Sequence, residues 1–156
     1  MLDEITVRTE AADSLVAVRL VEAMVAEMES LYDLAAGTGL GTAAPPADFS
    51  PPGGRFLVIY AGGRPVAGGG VKRDEDGVAE IKRMYVVPEA RRQGLGRRLL
   101  EALEDAAREL GYRAVRLDTG ARQPHAQAMY ERAGYHPIAE YNANSQASFW
   151  GEKILR

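Results

Sequence analysis

The chain has no cysteine among its 156 residues and carries two histidines. The first absence excludes disulfides, a thiolate nucleophile and any cysteine-ligated zinc site. The second leaves too few imidazoles for a metal centre without carboxylate help, and no His-x-x-Glu spacing accompanies His125 or His136. No metal is expected. No apolar run approaches the roughly 20 residues that a membrane-spanning helix requires, so a membrane is not an expected partner. The N-terminal MLDEITVRTE carries acids early and lacks an apolar core, which argues against a signal peptide and for a cytoplasmic location. A basic excess is missing too. There are 19 Lys+Arg against 22 Asp+Glu, for a net charge of −3, and this disfavours a nucleic-acid partner.

What is present fits one domain spanning residues 1–156. At this length a chain buries roughly 70% of its unfolded surface, and a hydrophobic fraction of 46% supplies the core. The charge is uneven. Residues 82–98 hold Lys82, Arg83, Arg91, Arg92, Arg97 and Arg98 against one acid, Glu89. A small basic island in an acidic chain suits a small polyanion better than a long one. A solvated arginine cluster reads equally well from charge alone.

ITVRT alternates and predicts a strand over 5–9. Residues 13–34 predict a helix with Leu15, Val18, Val21, Val25, Met28 and Leu31 at helical spacing and Asp13 or Ser14 as cap. Residues 35–54 are rich in glycine and proline without period, and predict a mobile loop. A hairpin follows, with strands over 55–61 and 65–72, then a strand over 78–87 stopped by Pro88. Consecutive charges at Lys82 and Arg83 break strict alternation there, which is compatible with a bulge. A helix over 96–110 ends at Gly111, a strand covers 114–119, and Pro124 opens a short helix stopped by Gly134. HPIAEYNA and SFWGEKIL predict two closing strands paired across NANSQ. Phe149 and Trp150 read as sheet packing or as the wall of a pocket. A strand, helix and strand around 80–119 imply a right-handed parallel crossover within a mixed sheet.

MYVVPEARRQGLGRRLLEAL runs strand, proline, basic turn and leucine-spaced helix. A helix N-terminus presents unpaired amides and a partial positive charge. Gly94 and Gly96 leave those amides open, and arginines flank them, so a pyrophosphate would use all three features. A sharp helix start without a ligand is the alternative. The third glycine of a dinucleotide fingerprint is absent, as is a Walker A lysine.

Arg91-x-x-Gly94-x-Gly96 after MYVVP, followed by QPHAQAMYERAGY, resembles the motifs of the GNAT superfamily of N-acetyltransferases, and the element order resembles that fold throughout. The resemblance implies an α/β fold (α+β in some schemes) with a mixed, mostly antiparallel sheet of six to seven strands, a central splayed parallel pair and flanking helices. It implies acetyl-CoA as cosubstrate and an amine acceptor, attacked directly in a ternary complex. By resemblance, the amides of Arg92, Gln93, Gly94, Leu95, Gly96 and Arg97 bind the pyrophosphate. The backbone of Met84, Tyr85 and Val86 meets the pantetheine arm, and Arg91 or Arg92 reaches a phosphate. Gln123 stands at the family's asparagine position. Tyr130 is the implied general acid and Glu80 the implied general base; as alternatives, Tyr130 packs and Glu80 is an exposed or Lys82-paired strand residue. A catalytically silent CoA-binding module, a different acyl group and a homodimer stay open, and the acceptor is unidentified.

Overall fold

The structure, a computed structural model, describes residues 4–37 and 44–156. Its elements are strands β1 (Ile5–Glu10), β2 (Arg55–Ala61), β3 (Arg64–Glu75), β4 (Val78–Val86), β5 (Ala114–Gly120), β6 (His136–Pro137) and β7 (Ala147–Ile154), and helices α1 (Leu15–Leu31), α2 (Leu95–Glu109) and α3 (Pro124–Arg132). The seven strands form one sheet in the order β1-β2-β3-β4-β5-β7-β6. Its parallel pair is β4–β5, bridged by α2, and the other neighbours are antiparallel. This is the mixed sheet with a central parallel pair that the element order implies.

The leucine spacing of α2 is the spacing that is buried. Leu95, Leu99, Leu100, Leu103, Ala106 and Ala107 pack against Leu57, Ile59, Ile81, Val115 and Leu117 of the sheet. On the opposite face α1 packs differently from its apparent stripe. Ser14 caps the helix by accepting from the Ala17 amide. The buried apolar residues are Ala17, Leu20 and Met24, while Leu15 is 63% exposed. Both stripes have helical period, and only docking decides which faces the sheet.

Part of the segment expected to be a loop, residues 35–54, is packed against the sheet at Phe49. Phe49 ends a 3-10 turn, Pro46–Phe49, and is buried to 1% exposure beside Phe56, Val58 and Tyr60. Gly70 permits this: a Cβ there would lie 2.3 Å from the Phe49 ring. The part of that expectation on residues 38–43 lies outside the described residues.

The closing hairpin is shorter than its sequence suggests. β6 pairs with β7 only at His136–Glu152 and Pro137–Gly151, with one further bond from the Ile138 amide to the Trp150 carbonyl at 2.9 Å. Beyond it the chain leaves the ladder because Tyr141, Asn142 and Asn144 turn inward to bind Glu80 and Asp118. Glu80 is also part of a cross-strand row in which Lys72, Glu80, Arg116 and Glu152 alternate in sign in register. Opposite charges directly across strands stabilise a sheet. Arg116 anchors the row, donating to Asp74, Glu75 and Glu152 at 2.7–2.9 Å.

Phe49→Ala removes a ring that nothing else fills. The expected loss is about 3–5 kcal/mol, read as a lower urea midpoint with an intact far-ultraviolet spectrum. An unchanged midpoint would show that the turn is not part of the core.

Candidate active site

The site exists because two neighbouring strands part. β4 and β5 are paired at Val78–Ala114, Ala79–Val115 and Glu80–Arg116, and no further, although both strands continue. On the other edge of β4 the register with β3 shifts between Gly68 and Gly70. Arg83 lies at that shift with a φ of 62°, a left-handed conformation uncommon for a side-chain-bearing residue. The bulge falls where the consecutive charges Lys82-Arg83 broke alternation. It turns the end of β4 away from β5 and opens a gap roofed by α1 and α3.

The outer part of the gap is a cleft of about 500 Å³ between α1, the end of β4, the start of α2 and α3. Met84, Tyr85, Val86, Arg91, Arg92, Gly94, Leu95, Gly96 and Gln123 line it together with Met24, Glu27 and Met28. Gly94 is the N-cap of α2 at φ 77°. No side chain caps the first turn, and a Cβ on Gly94 would meet nothing within 4 Å. The first amides of α2 therefore face open space, as an anion seat requires. Arg92 is exposed beside them and makes no ion pair among the described residues. Arg91 is engaged instead: its Nη2 donates to both Glu27 oxygens at 2.7 and 2.8 Å, and its Nε donates to the Val86 carbonyl at 3.0 Å. It ties α1 to the β4 end, and Glu27 raises its pKa. Arg97 pairs with Glu101. Gln93 lies outside the cleft, in a depression shared with Arg64 and Glu89. Gln123 accepts from the Tyr32 hydroxyl at 3.2 Å and lines both the cleft and the cavity behind it.

That inner cavity, of about 90 Å³, adjoins the cleft through Met24, Met28, Met84 and Gln123. Tyr130 lines it, with Lys82, Arg83 and Asp118. The Tyr130 hydroxyl lies 3.8 Å from the Met84 sulfur, a weak acceptor. Burial, and then the charge of Asp118, push its pKa up to about 12. The phenol is thus a donor at neutral pH.

The acetyltransferase (GNAT) family model matches residues 16–135, which includes the cleft, α2 and α3. The chain belongs to this GNAT family. It is 31% identical over 123 residues to YjgM, an uncharacterized N-acetyltransferase of Escherichia coli (strain K12), covering 74% of each chain. It is 45% identical over 82 residues to an IAA acetyltransferase of Azospirillum brasilense, a match that covers 52% of this chain and 54% of that relative. Among solved structures, one from Klebsiella pneumoniae subsp. pneumoniae MGH 78578 assigned as an acyl-CoA N-acyltransferase shares 30% identity, with a TM-score of 0.77 over 97% of this chain and 98% of that one. A Thermoplasma acidophilum N-acetyltransferase solved with coenzyme A has the same fold, at 16% identity, a TM-score of 0.73 and coverage of 97% and 99%.

Within this GNAT chain Glu80 takes the Lys82-paired arrangement that the sequence reading held as an alternative to a base. Glu80 is 3% exposed and does not line the inner cavity. It accepts from Tyr141 at 2.8 Å and Asn142 at 3.0 Å, and lies 3.6 Å from Lys82 and 3.8 Å from Lys72. Asp118 is the carboxylate on the cavity wall. It accepts from Asn142 and Asn144 and stands 3.6 Å from Lys82. Trp150 steadies the group by donating to the Asn142 side-chain oxygen at 2.9 Å, while Phe149 is core. Asp118, Asn142 and Asn144 carry no motif. A polar residue near a strand's end is ordinary, and only the divergence of β4 and β5 makes it matter. His125 borders the outer cleft from the surface. No cluster of metal-ligating side chains occurs among the described residues.

Burial also raises the pKa of Tyr135 and Tyr141, each beside a carboxylate. A folded pKa above the unfolded value of 10.0 means that the contribution of Tyr130 is complete below pH 10 and is lost as pH rises through about 12. The urea midpoint of wild type should therefore fall more steeply between pH 10 and 11.5 than that of Tyr130→Phe. Parallel curves would place Tyr130 in an unperturbed environment.

Proposed function

We propose that this protein is an N-acetyltransferase that moves the acetyl group of acetyl-CoA to a primary amine by direct attack in a ternary complex. The observation that carries this reading is the continuity of the two cavities: uncapped α2 amides open into the outer cleft, and Tyr130 closes the inner one. The amides from Arg92 to Arg97, in the turn and first residues of α2, with the Arg92 side chain beside them, would seat the pyrophosphate. The backbone of Met84–Val86, freed from β5 by the divergence, would align the arm, and Gln123 would border it.

The chemistry balances simply. The amine nitrogen bonds to the acetyl carbon, the carbon–sulfur bond breaks, and a proton from the amine ends on the thiol. An ordinary primary ammonium has a pKa near 10 and must lose a proton first. Asp118, on the cavity wall, would take it through water. Glu80 shares Lys82 and Asn142 with Asp118 and, in this reading, completes a carboxylate pair that holds Lys82 between them. Tyr130 would donate to the departing sulfur. A cavity lined by polar groups and closed by a phenol favours chemistry over passive CoA binding.

Two measurements test this. A Cβ on Gly96 would meet the Met129 sulfur at an ordinary 3.4 Å, so Gly96→Val should fold. It should weaken acetyl-CoA binding at least tenfold in calorimetry, about 1.4 kcal/mol. Unchanged affinity would remove the cleft as the CoA site. Tyr130→Phe should keep acetyl-CoA affinity and lose about 10- to 100-fold in kcat, the low end for an acid catalyst. Normal kcat with weakened binding would make Tyr130 a binding residue.

A further inference from the structure

We propose that Arg83 makes the inner cavity a carboxylate seat, so that the acceptor is an amino carboxylate of the amino-acid class. The position of the amine rests on the acetyl-transfer reading above; the anion seat is argued from Arg83 itself. Its guanidinium lies over the Phe49 ring at 4.6 Å and donates from Nη2 to the Ala44 carbonyl. Its Nε is buried and has no hydrogen-bond partner. Buried polar atoms are satisfied in the great majority of cases, so this one needs a partner that the described residues do not supply. No carboxylate lies within 4 Å of this guanidinium among the described residues, whereas Lys82, the other cation on the cavity wall, stands between Glu80 and Asp118. Arg83 is thus the cation on the cavity wall with no carboxylate in contact; Asp48 favours its charge from beyond ion-pair distance. Half-burial disfavours that charge, which an incoming anion would reverse.

The chemistry selects the anion. A guanidinium presents a planar fork that matches a carboxylate in two parallel bonds. The Phe49 ring fixes the plane of the fork, and the bulge fixes its origin at Arg83. On the wall of the same cavity Asp118 offers an anion to an ammonium group, and Tyr130 marks the reacting end. The wall of this cavity of about 90 Å³ therefore carries charges of both signs, and its volume is enough for an amine, one carbon and a carboxylate. A plain alkylamine would leave Arg83 bare, and a polyamine would meet its repulsion.

The test uses the twenty protein amino acids and their primary amides as matched pairs, with wild type and Arg83→Met, both saturated with acetyl-CoA. Thiol release reports transfer, and the NMR signal of the Arg83 Nε–H reports docking. The amide's amine has the lower pKa because the neighbouring charge is gone, so chemistry alone favours the amide. At least one acid should nevertheless exceed its amide tenfold or more in kcat/KM. That preference should vanish in Arg83→Met, while acetyl-CoA affinity stays unchanged. Amides used as well as acids would overturn the proposal, as would twenty acids that neither release thiol nor shift the Nε–H signal. A signal shifted by acids and not by amides, without thiol release from any compound, would keep the carboxylate seat and sink the acetyl-transfer reading.

Discussion

The end of pairing between β4 and β5 after Glu80–Arg116 is the constraint on which the site depends. Two parallel strands that stayed paired would fill the sheet with hydrogen bonds and leave no gap. Here the extra residue at Arg83 lets β4 turn away, and its backbone beyond that point is free of β5. The outer cleft, the inner cavity and the exposure of Met84–Val86 all follow from that one divergence. The left-handed conformation of Arg83 is an unfavourable local choice. It persists because β3 holds the strand on both sides of the bulge, at Lys82 and at Tyr85.

The two faces of the sheet meet different demands. Under α2 the packing is apolar and continuous, and it sets the position of the helix whose first amides face the cleft. On the other face, charges alternate across four strands and reach the divergence at Glu80, Lys82 and Asp118. Breaking such a network by removing one member is severe, because the remaining charge is left uncompensated. The segment after β6 gives up ladder hydrogen bonds to supply Tyr141, Asn142 and Asn144 to that network. It thereby closes the side of the gap that α1 and α3 do not cover. Fold stability and the charge state of the cavity are therefore coupled through the same side chains.

The sequence by itself determined the order of elements, the apolar face of α2, the helix start at Gly94–Gly96 and the family, because these rest on period, turn chemistry and local spacing. Even the bulge was visible, in the consecutive charges of Lys82 and Arg83. The tertiary structure decided what local spacing does not encode. It chose between two helical stripes on α1, turned Phe49 from a loop residue into core, and cut the closing hairpin short. It bound Arg91 to Glu27, moved Gln93 out of the cleft, and set Asp118 rather than Glu80 on the cavity wall. Each of these depends on groups far apart in the chain that meet across the β4–β5 gap or across the sheet. Periodicity reports which residues prefer burial, but pairing and charge compensation are settled only by which partner arrives.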